Sequence, residues 1–319
     1  MGPIDLIFDV TDALPAEVTQ GTRATISGWL FFPDDVSALG DNPVTMVLTS
    51  GGSYDKRYHH AVIPGHPGYS AAEHLAALGN VVLLTDHLGM GESSRVPDQK
   101  RATRQIVALA NHAAVTQFYA GLSAGTLHPD LPALPRFLRI GGGHSMGGML
   151  TTIQQAGHGT YDAIMVLGYT AQGVHGWYQG RQIRTASLIP PGFAPADYTS
   201  NDRKAQRDNF HWDDVPEAVI LADDALAVET PSQIGTVSIH TGIIAAEAAQ
   251  IEVPVFMGLG ERDVSPDPRA EGFFFRNSRD FTCYVLPRSA HCQSFASTRH
   301  LFWNRMHGWA KGLALLSQA

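Results

Sequence analysis

The sequence predicts an α/β fold: a doubly wound, mostly parallel sheet with an inserted segment over it. Three observations carry that prediction. Runs of buried-strand composition alternate with helical stretches along most of the chain, the order that parallel crossover connections require. A cluster of glycines, Gly141-Gly142-Gly143-His144-Ser145-Met146-Gly147-Gly148, falls where a strand passes into a helix. The alternation then breaks between about Ala171 and His240, where Pro, Asp and aromatic residues collect.

The elements follow in chain order. Thr22 to Pro33 has strand composition and closes on a proline turn. Val44 to Leu48 is a short buried strand opening into Ser50-Gly51-Gly52-Ser53. Ser70 to Leu78 is helical and is capped by Gly79, and Val81 to Thr85 is the next buried strand. Thr103 to Leu122 supports a long helix. Arg136 to Ile140 is a strand running into the glycines, and Met149 to Gln155 is the helix beyond them. Ala163 to Leu167 is another strand. After the break come a strand (Val253 to Leu259), a short helix (Ala270 to Phe275), a strand (Phe281 to Leu286) and a helix from about Ser294 to Leu316. No internal repeat interrupts this order.

Residues 1–170 and 241–319 therefore form the core, and 171–240 an insertion. The insertion carries Trp177, Tyr178, Phe193, Tyr198, Phe210 and Trp212, the turn Ile189-Pro190-Pro191-Gly192, and a helical piece from Val215 to Leu226, with no buried strand. It lies between two core strands, on the side where their C-terminal ends present a site, which predicts a covering lid. A structural loop packed on the sheet is the competing reading, although loops of that length are uncommon in compact domains.

Composition narrows the classes of function. Apolar residues make up 44 % and charged residues 16 % of the 319 positions, the profile of a compact enzyme with buried parallel strands. A net charge of −8 without a Lys/Arg cluster argues against nucleic acid and against an anionic membrane surface. The start, Met1-Gly2-Pro3-Ile4-Asp5-Leu6, lacks the basic, apolar pattern of a signal peptide, and no run reaches the roughly 20 apolar residues of a membrane span. Two cysteines, Cys283 and Cys292, are too few for a disulfide framework, so a reduced, cytoplasmic protein is expected. No metal-ligand spacing, dinucleotide-binding glycine pattern or P-loop occurs, so no cofactor is expected.

Gly143-His144-Ser145-Met146-Gly147 spells G-x-S-x-G, the turn that lifts a nucleophilic serine clear of its own backbone. In a chain with 32 glycines the pattern alone is weak, and a helix-capping serine in a glycine turn competes with it. A serine hydroxyl needs a base, and the base needs a carboxylate to fix its tautomer. Asp263 stands just past the strand that ends Gly258-Leu259-Gly260, and His291 just past the last strand, in the chain order serine, acid, histidine. Glu261 and Asp267 are the alternative acids. The loop after the preceding strand, Tyr169-Thr170-Ala171-Gln172, offers none. His300 and His307 belong to the terminal helix, and the neighbours His59 and His60 do not converge on a metal. An oxyanion needs N–H donors, for which Met146 and Gly52 are the first choices and Ser53 the second. A plain glycine turn is the competing reading of Gly51-Gly52.

With these motifs assembled, the chain resembles the α/β-hydrolase-fold serine hydrolases over nearly its whole length, and among them a lidded bacterial esterase-like group. The matching features are Gly51-Gly52, Asp86-His87-Leu88-Gly89-Met90-Gly91-Glu92-Ser93, the Gly143–Gly147 turn, Gly260-Glu261-Arg262-Asp263 and Ala290-His291. The second resembles a loop-shaping motif of the fold, which makes Asp86, Gly89 and Gly91 structural. One departure is Ser50-Gly51, where many members carry His-Gly. The expected chemistry is acyl transfer to water by a Ser145–His291–Asp263 triad without a cofactor. The aromatic residues of the insertion suggest a carboxylic ester or lactone of a largely apolar small molecule, with aromatics that simply bury themselves against the core as the competing reading. The same triad also serves C–C bond hydrolases, thioesterases and acyltransferases, and the fold also serves as a non-catalytic ligand receptor.

Overall fold

A computed structural model describes residues 2–178, 180–184 and 196–316. Eight strands form one sheet: β1 (Ile4–Asp9), β2 (Thr25–Phe31), β3 (Val44–Thr49), β4 (Asn80–Thr85), β5 (Leu138–His144), β6 (Ala163–Leu167), β7 (Val255–Gly260) and β8 (Phe281–Leu286). Their order across the sheet is β1-β2-β4-β3-β5-β6-β7-β8. Only β2 runs against its neighbours β1 and β4; every other adjacent pair is parallel. The doubly wound, mostly parallel sheet read from the sequence is the one observed.

Burial explains the strand compositions. β3, β4, β6 and β7 are buried along their whole length, so they read as continuous apolar runs. β1 and β8, at the two edges, alternate in exposure. Within β4, Val81 and Leu83 join the core under helices α2 (Arg104–Ala124) and α3 (Met146–His158). Val82 and Leu84 join the core on the other face, under α1 (Ala71–Ala77) and α4 (Arg299–Leu316). Each such side chain contributes about 1.5–3 kcal/mol of burial. Helix starts follow local chemistry: Ser70 Oγ accepts the Glu73 N–H at 3.0 Å, and Thr103 Oγ1 accepts that of Ile106 at 3.4 Å. Gly79 is needed after α1, because its φ is +82° and a Cβ there would stand 2.4 Å from the Ala38 carbonyl oxygen.

Besides shifts of a few residues at other ends, and a 3₁₀ turn at Glu271–Phe273 where a short helix is read, four features differ from the sequence reading. β1 went unread, since only Phe8 of its six residues is buried and no apolar run marks it. β5 continues through Gly141–His144, because main-chain pairing with β3 and β6 extends past Ile140. α3 begins at Met146, directly after the serine. At the C-terminus, Gln293–Phe295 form a separate 3₁₀ turn and Ala296 is extended, so α4 starts at Arg299 and not at Ser294.

Residues 171–240 lie between β6 and β7. Their described part has an antiparallel hairpin (His175–Tyr178 with Arg181–Arg184), a short pair (Tyr198–Thr199 with Thr230–Pro231) and a helix at Glu217–Asp224, inside the stretch read as helical. None of these joins the eight-stranded sheet. Phe193 and the turn Ile189-Pro190-Pro191-Gly192 lie outside the described residues. Among the described residues, no helix is long and apolar enough to cross a membrane.

Candidate active site

Ser145 stands between β5 and α3 with φ 55° and ψ −122°, a conformation rarely adopted by residues other than glycine. Its glycine neighbours make the turn possible. A Cβ on Gly143 would lie 2.1 Å from the Gly147 carbonyl carbon, and one on Gly147 would lie 2.6 Å from the Ser50 carbonyl oxygen. No side chain fits at either position. The strand ends therefore approach closely, and Ser145 projects from the sheet at the N-terminus of a helix.

Two further loops bring the predicted partners to it. His291 Nε2 lies 3.0 Å from Ser145 Oγ, and His291 Nδ1 lies 2.7 Å from Asp263 Oδ1. Asp263 is held in place by three other donors: the Val264 N–H on Oδ1 at 2.8 Å, and the Gly260 N–H at 2.8 Å and Gln293 Nε2 at 2.6 Å on Oδ2. The alternative acids are elsewhere. Glu261 accepts the Arg288 N–H at 2.9 Å and Asp267 that of Arg269 at 3.0 Å, both at exposed positions. His144 Nε2–H donates to the His291 carbonyl at 2.8 Å while its ring stacks on Tyr58, 4.3 Å between centroids. Burial, and then the neighbouring His291, holds His144 far below the ordinary histidine range and therefore neutral.

The loop after β3 supplies the other wall. Among the described residues, the backbone N–H groups of Met146 and Gly52 have no acceptor. The Ser53 N–H is already donated to Thr230 Oγ1 at 2.6 Å, so of these two residues only Gly52 has an unengaged N–H among the described residues. Ser50 bonds through Oγ to the Tyr54 carbonyl at 2.9 Å and closes its own loop. Two buried histidines hold the approach to that loop: His59 Nε2–H donates to Thr49 O at 3.1 Å and His87 Nε2–H to Ser50 O at 3.0 Å. Burial lowers the pKa of each to about 4, so both are neutral donors. Asp86 is structural, as read: it accepts the Lys56 N–H at 2.7 Å, Lys56 Nζ at 2.8 Å and the Glu92 N–H at 2.9 Å.

Gly52, Ser145, Met146 and His291 line one cavity of about 550 Å³, within the usual range for small-molecule sites. Its other walls include Tyr169, Val174, Trp177, Ile183, Phe210 and Ile239, with the amides of Gln206 and Asn209. No Asp, Glu, Lys or Arg lines it among the described residues. The aromatic residues of the insertion divide. Trp177 and Phe210 face the cavity, whereas Tyr198 lies under Arg95 and Trp212 under Arg262. No metal-binding group of three or more His, Cys, Asp or Glu occurs among the described residues.

Sequence reasoning missed two supports. Gln293 fixes Asp263, and its only signal is a position two residues past His291. Glu271 is fully buried and accepts from Thr170 Oγ1 (2.5 Å), the Ala171 N–H (3.0 Å), Gln172 Nε2 (2.8 Å) and Ser265 Oγ (2.6 Å). It ties the loop after β6 to the loop that carries Asp263.

The sheet order and the placement of this cavity at the C-terminal strand ends are those of the α/β-hydrolase fold, which the chain adopts. It is similar to a thermophilic esterase from Thermogutta terrifontis (12 % identity, 98 % of this chain and 100 % of that one, TM-score 0.63). It is also similar to a peroxisomal alpha-beta-hydrolase (12 %, 99 % and 89 %, TM-score 0.62) and to a soluble variant of monoglyceride lipase (15 %, 91 % and 91 %, TM-score 0.62), both from Saccharomyces cerevisiae. Such identities establish the fold. No protein-family model matches the chain, and no curated protein matches it in sequence.

Proposed function

We propose that the protein is a serine hydrolase that cleaves a carboxylic ester or lactone of an uncharged, largely apolar small molecule. One observation carries this reading: Ser145, His291 and Asp263 form a continuous hydrogen-bonded chain that opens on a cavity beside two N–H groups without acceptors. The esterase and lipase names among the structural neighbours agree with it. The absence of charged side chains from the described cavity wall favours a neutral substrate, since a buried charge without a partner is costly.

In this mechanism Ser145 Oγ attacks the carbonyl carbon as His291 Nε2 takes its proton. The N–H groups of Met146 and Gly52 receive the developing oxyanion. His291 then protonates the leaving alkoxide, and the acyl group stays on Ser145. Water, deprotonated by His291, attacks the acyl-enzyme and releases the acid and the free serine. Asp263 keeps Nδ1–H of His291 bonded and stabilises the imidazolium. Trp177, Ile183, Phe210 and Ile239 of the insertion line the cavity and cover the site from that side.

The experiment is intact-protein mass after incubation with a fluorophosphonate, for the wild type and Ser145→Ala, alongside turnover of a chromogenic ester. A single adduct on the wild type, none on Ser145→Ala and loss of turnover in that variant are expected. An unlabelled wild type, or an active Ser145→Ala, overturns the reading. Labelling without multiple turnover would favour a receptor.

A further inference from the structure

We propose that Arg203 and Thr230, in the segment taken as a lid, are positioning residues that set the oxyanion loop. The described part of the insertion that carries them is then a fixed wall of the catalytic centre, not a hinged cover. This rests on the hydrolase reading above, and it adds residues that no motif of the sequence assigns.

The loop is a turn, closed by the Tyr54 N–H on the Gly51 carbonyl at 3.3 Å, with Ser53 at φ 64°. That left-handed conformation is unfavourable for a residue with a Cβ, so something outside the turn must hold it. Among the described residues, every backbone hydrogen bond of Ser53 goes to the insertion. Its N–H donates to Thr230 Oγ1 at 2.6 Å, and its carbonyl accepts from Arg203 Nη2 at 2.9 Å and from the Val228 N–H at 3.1 Å. Gly52, which lines the cavity and whose N–H has no acceptor among the described residues, is the residue just before this clamp.

Arg203 suits the task by shape. Its side chain is only 9 % exposed and the guanidinium lies over the Tyr54 ring, 4.0 Å from the centroid. One arm reaches the Ser53 carbonyl, and the other reaches Tyr54 Oη at 2.5 Å and lies 3.6 Å from Asp223 Oδ2. Asp223 is fully buried in the helix Glu217–Asp224, accepts the Tyr54 hydroxyl at 2.8 Å and has His211 Nε2 at 3.0 Å. A buried ion pair is a poor source of stability but fixes registry, and only a planar fork bridges two acceptors in this way.

The same segment grips the other two loops. The His291 and Cys292 N–H groups donate to the carbonyls of Asn209 and Phe210, each at 2.9 Å, and the Trp177 indole N–H donates to the Asp263 carbonyl at 2.9 Å. A hinged opening of the insertion would release all three loops at once.

The test is Arg203→Lys, which keeps the charge beside Asp223 but cannot span both acceptors, and Thr230→Val, which removes the Ser53 acceptor and leaves Arg203 in place. Both are read by the rate of fluorophosphonate labelling and by kcat and KM on a chromogenic ester. Labelling rate and kcat are expected to fall about 10- to 100-fold, with KM within about threefold, because the lost term acts on the oxyanion. Adding Ser53→Gly to Arg203→Lys should recover most of the loss, since glycine adopts positive φ without strain. Wild-type labelling rates in both folded variants overturn the proposal. So does a loss confined to KM, or a deficit that Ser53→Gly does not repair. Thr230→Val carries the test if Arg203→Lys does not fold. A wild type that takes no label instead refutes the hydrolase reading itself.

Discussion

The serine turn and the Gly51–Tyr54 turn, which pack against each other beside the cavity, are held by different means. The serine turn is held by exclusion: backbone atoms stand 2.1 Å and 2.6 Å from where Cβ atoms of Gly143 and Gly147 would be, so the sheet itself dictates the conformation. In the Gly51–Tyr54 turn only the first residue is crowded, a Cβ on Gly51 standing 2.9 Å from Ser145 Cβ; its far side, at Ser53, is held by attachment, through hydrogen bonds from residues some 150 to 180 positions away in the chain. Gly52 is not crowded. A Cβ there would meet Met146 Sδ at 3.8 Å and Thr230 Oγ1 at 3.9 Å, ordinary contacts, and its φ is not in the left-handed region. A loop fixed by packing cannot move without the core, whereas a loop fixed by bonds can be released one bond at a time.

Three substitutions or conditions would break or sharpen this contrast. The largest effect is expected from Gly147→Ala. The added methyl meets the carbonyl oxygens of Ser50 and Thr49 at 2.6 and 2.8 Å, both backbone atoms. We expect about 2 kcal/mol of lost stability from overpacking and a fall of about 1000-fold in kcat/KM, measured by denaturant unfolding and ester turnover. A variant of normal stability and activity would show that the serine turn is not sterically set. Gly52→Ala should be milder, with unfolding unchanged within about 0.5 kcal/mol and turnover down about tenfold as the methyl crowds the substrate oxygen. Comparable destabilisation by the two alanines would erase the distinction.

The smallest effect is a slope in stability with pH. His59 and His87 hold the carbonyls of Thr49 and Ser50, and burial depresses both pKa values from 6.5 to about 4. Below pH 6.5 the unfolded chain binds protons that the folded chain refuses. Stability is therefore full above that pH and falls as pH drops toward 4, by roughly 1 kcal/mol per pH unit for each histidine near pH 5. Urea unfolding of His87→Asn from pH 7 to 4.5 should show a shallower slope than the wild type. An unchanged slope would remove His87 from this account.

Much of the fold was legible because its signals are local. Ala163–Leu167 and Phe281–Leu286 were read at their observed limits, and Ser70 and Thr103 marked their helix starts by hydroxyls that cap them. β1 was not legible, since an edge strand with one buried side chain carries no apolar run. Composition extends the terminal helix five residues too far, because it does not reveal the 3₁₀ turn at Gln293–Phe295.

The same division runs through the site. The sequence by itself determined the serine turn, the chain order of Ser145, Asp263 and His291, and the absence of a carboxylate after β6. These follow from glycine spacing and from residues just past strand ends, which short windows record. Only the tertiary structure brings Asp263, and not its neighbours Glu261 and Asp267, beside His291, and leaves the Gly52 N–H without an acceptor among the described residues while that of Ser53 is bonded to Thr230. It alone brought Gln293 to Asp263, Glu271 to Thr170, and Arg203 and Thr230 to the Gly51–Tyr54 turn. The physical reason is range: a missing Cβ imprints its constraint on one position of the chain, whereas a hydrogen bond between distant segments leaves no mark on either until folding brings them together.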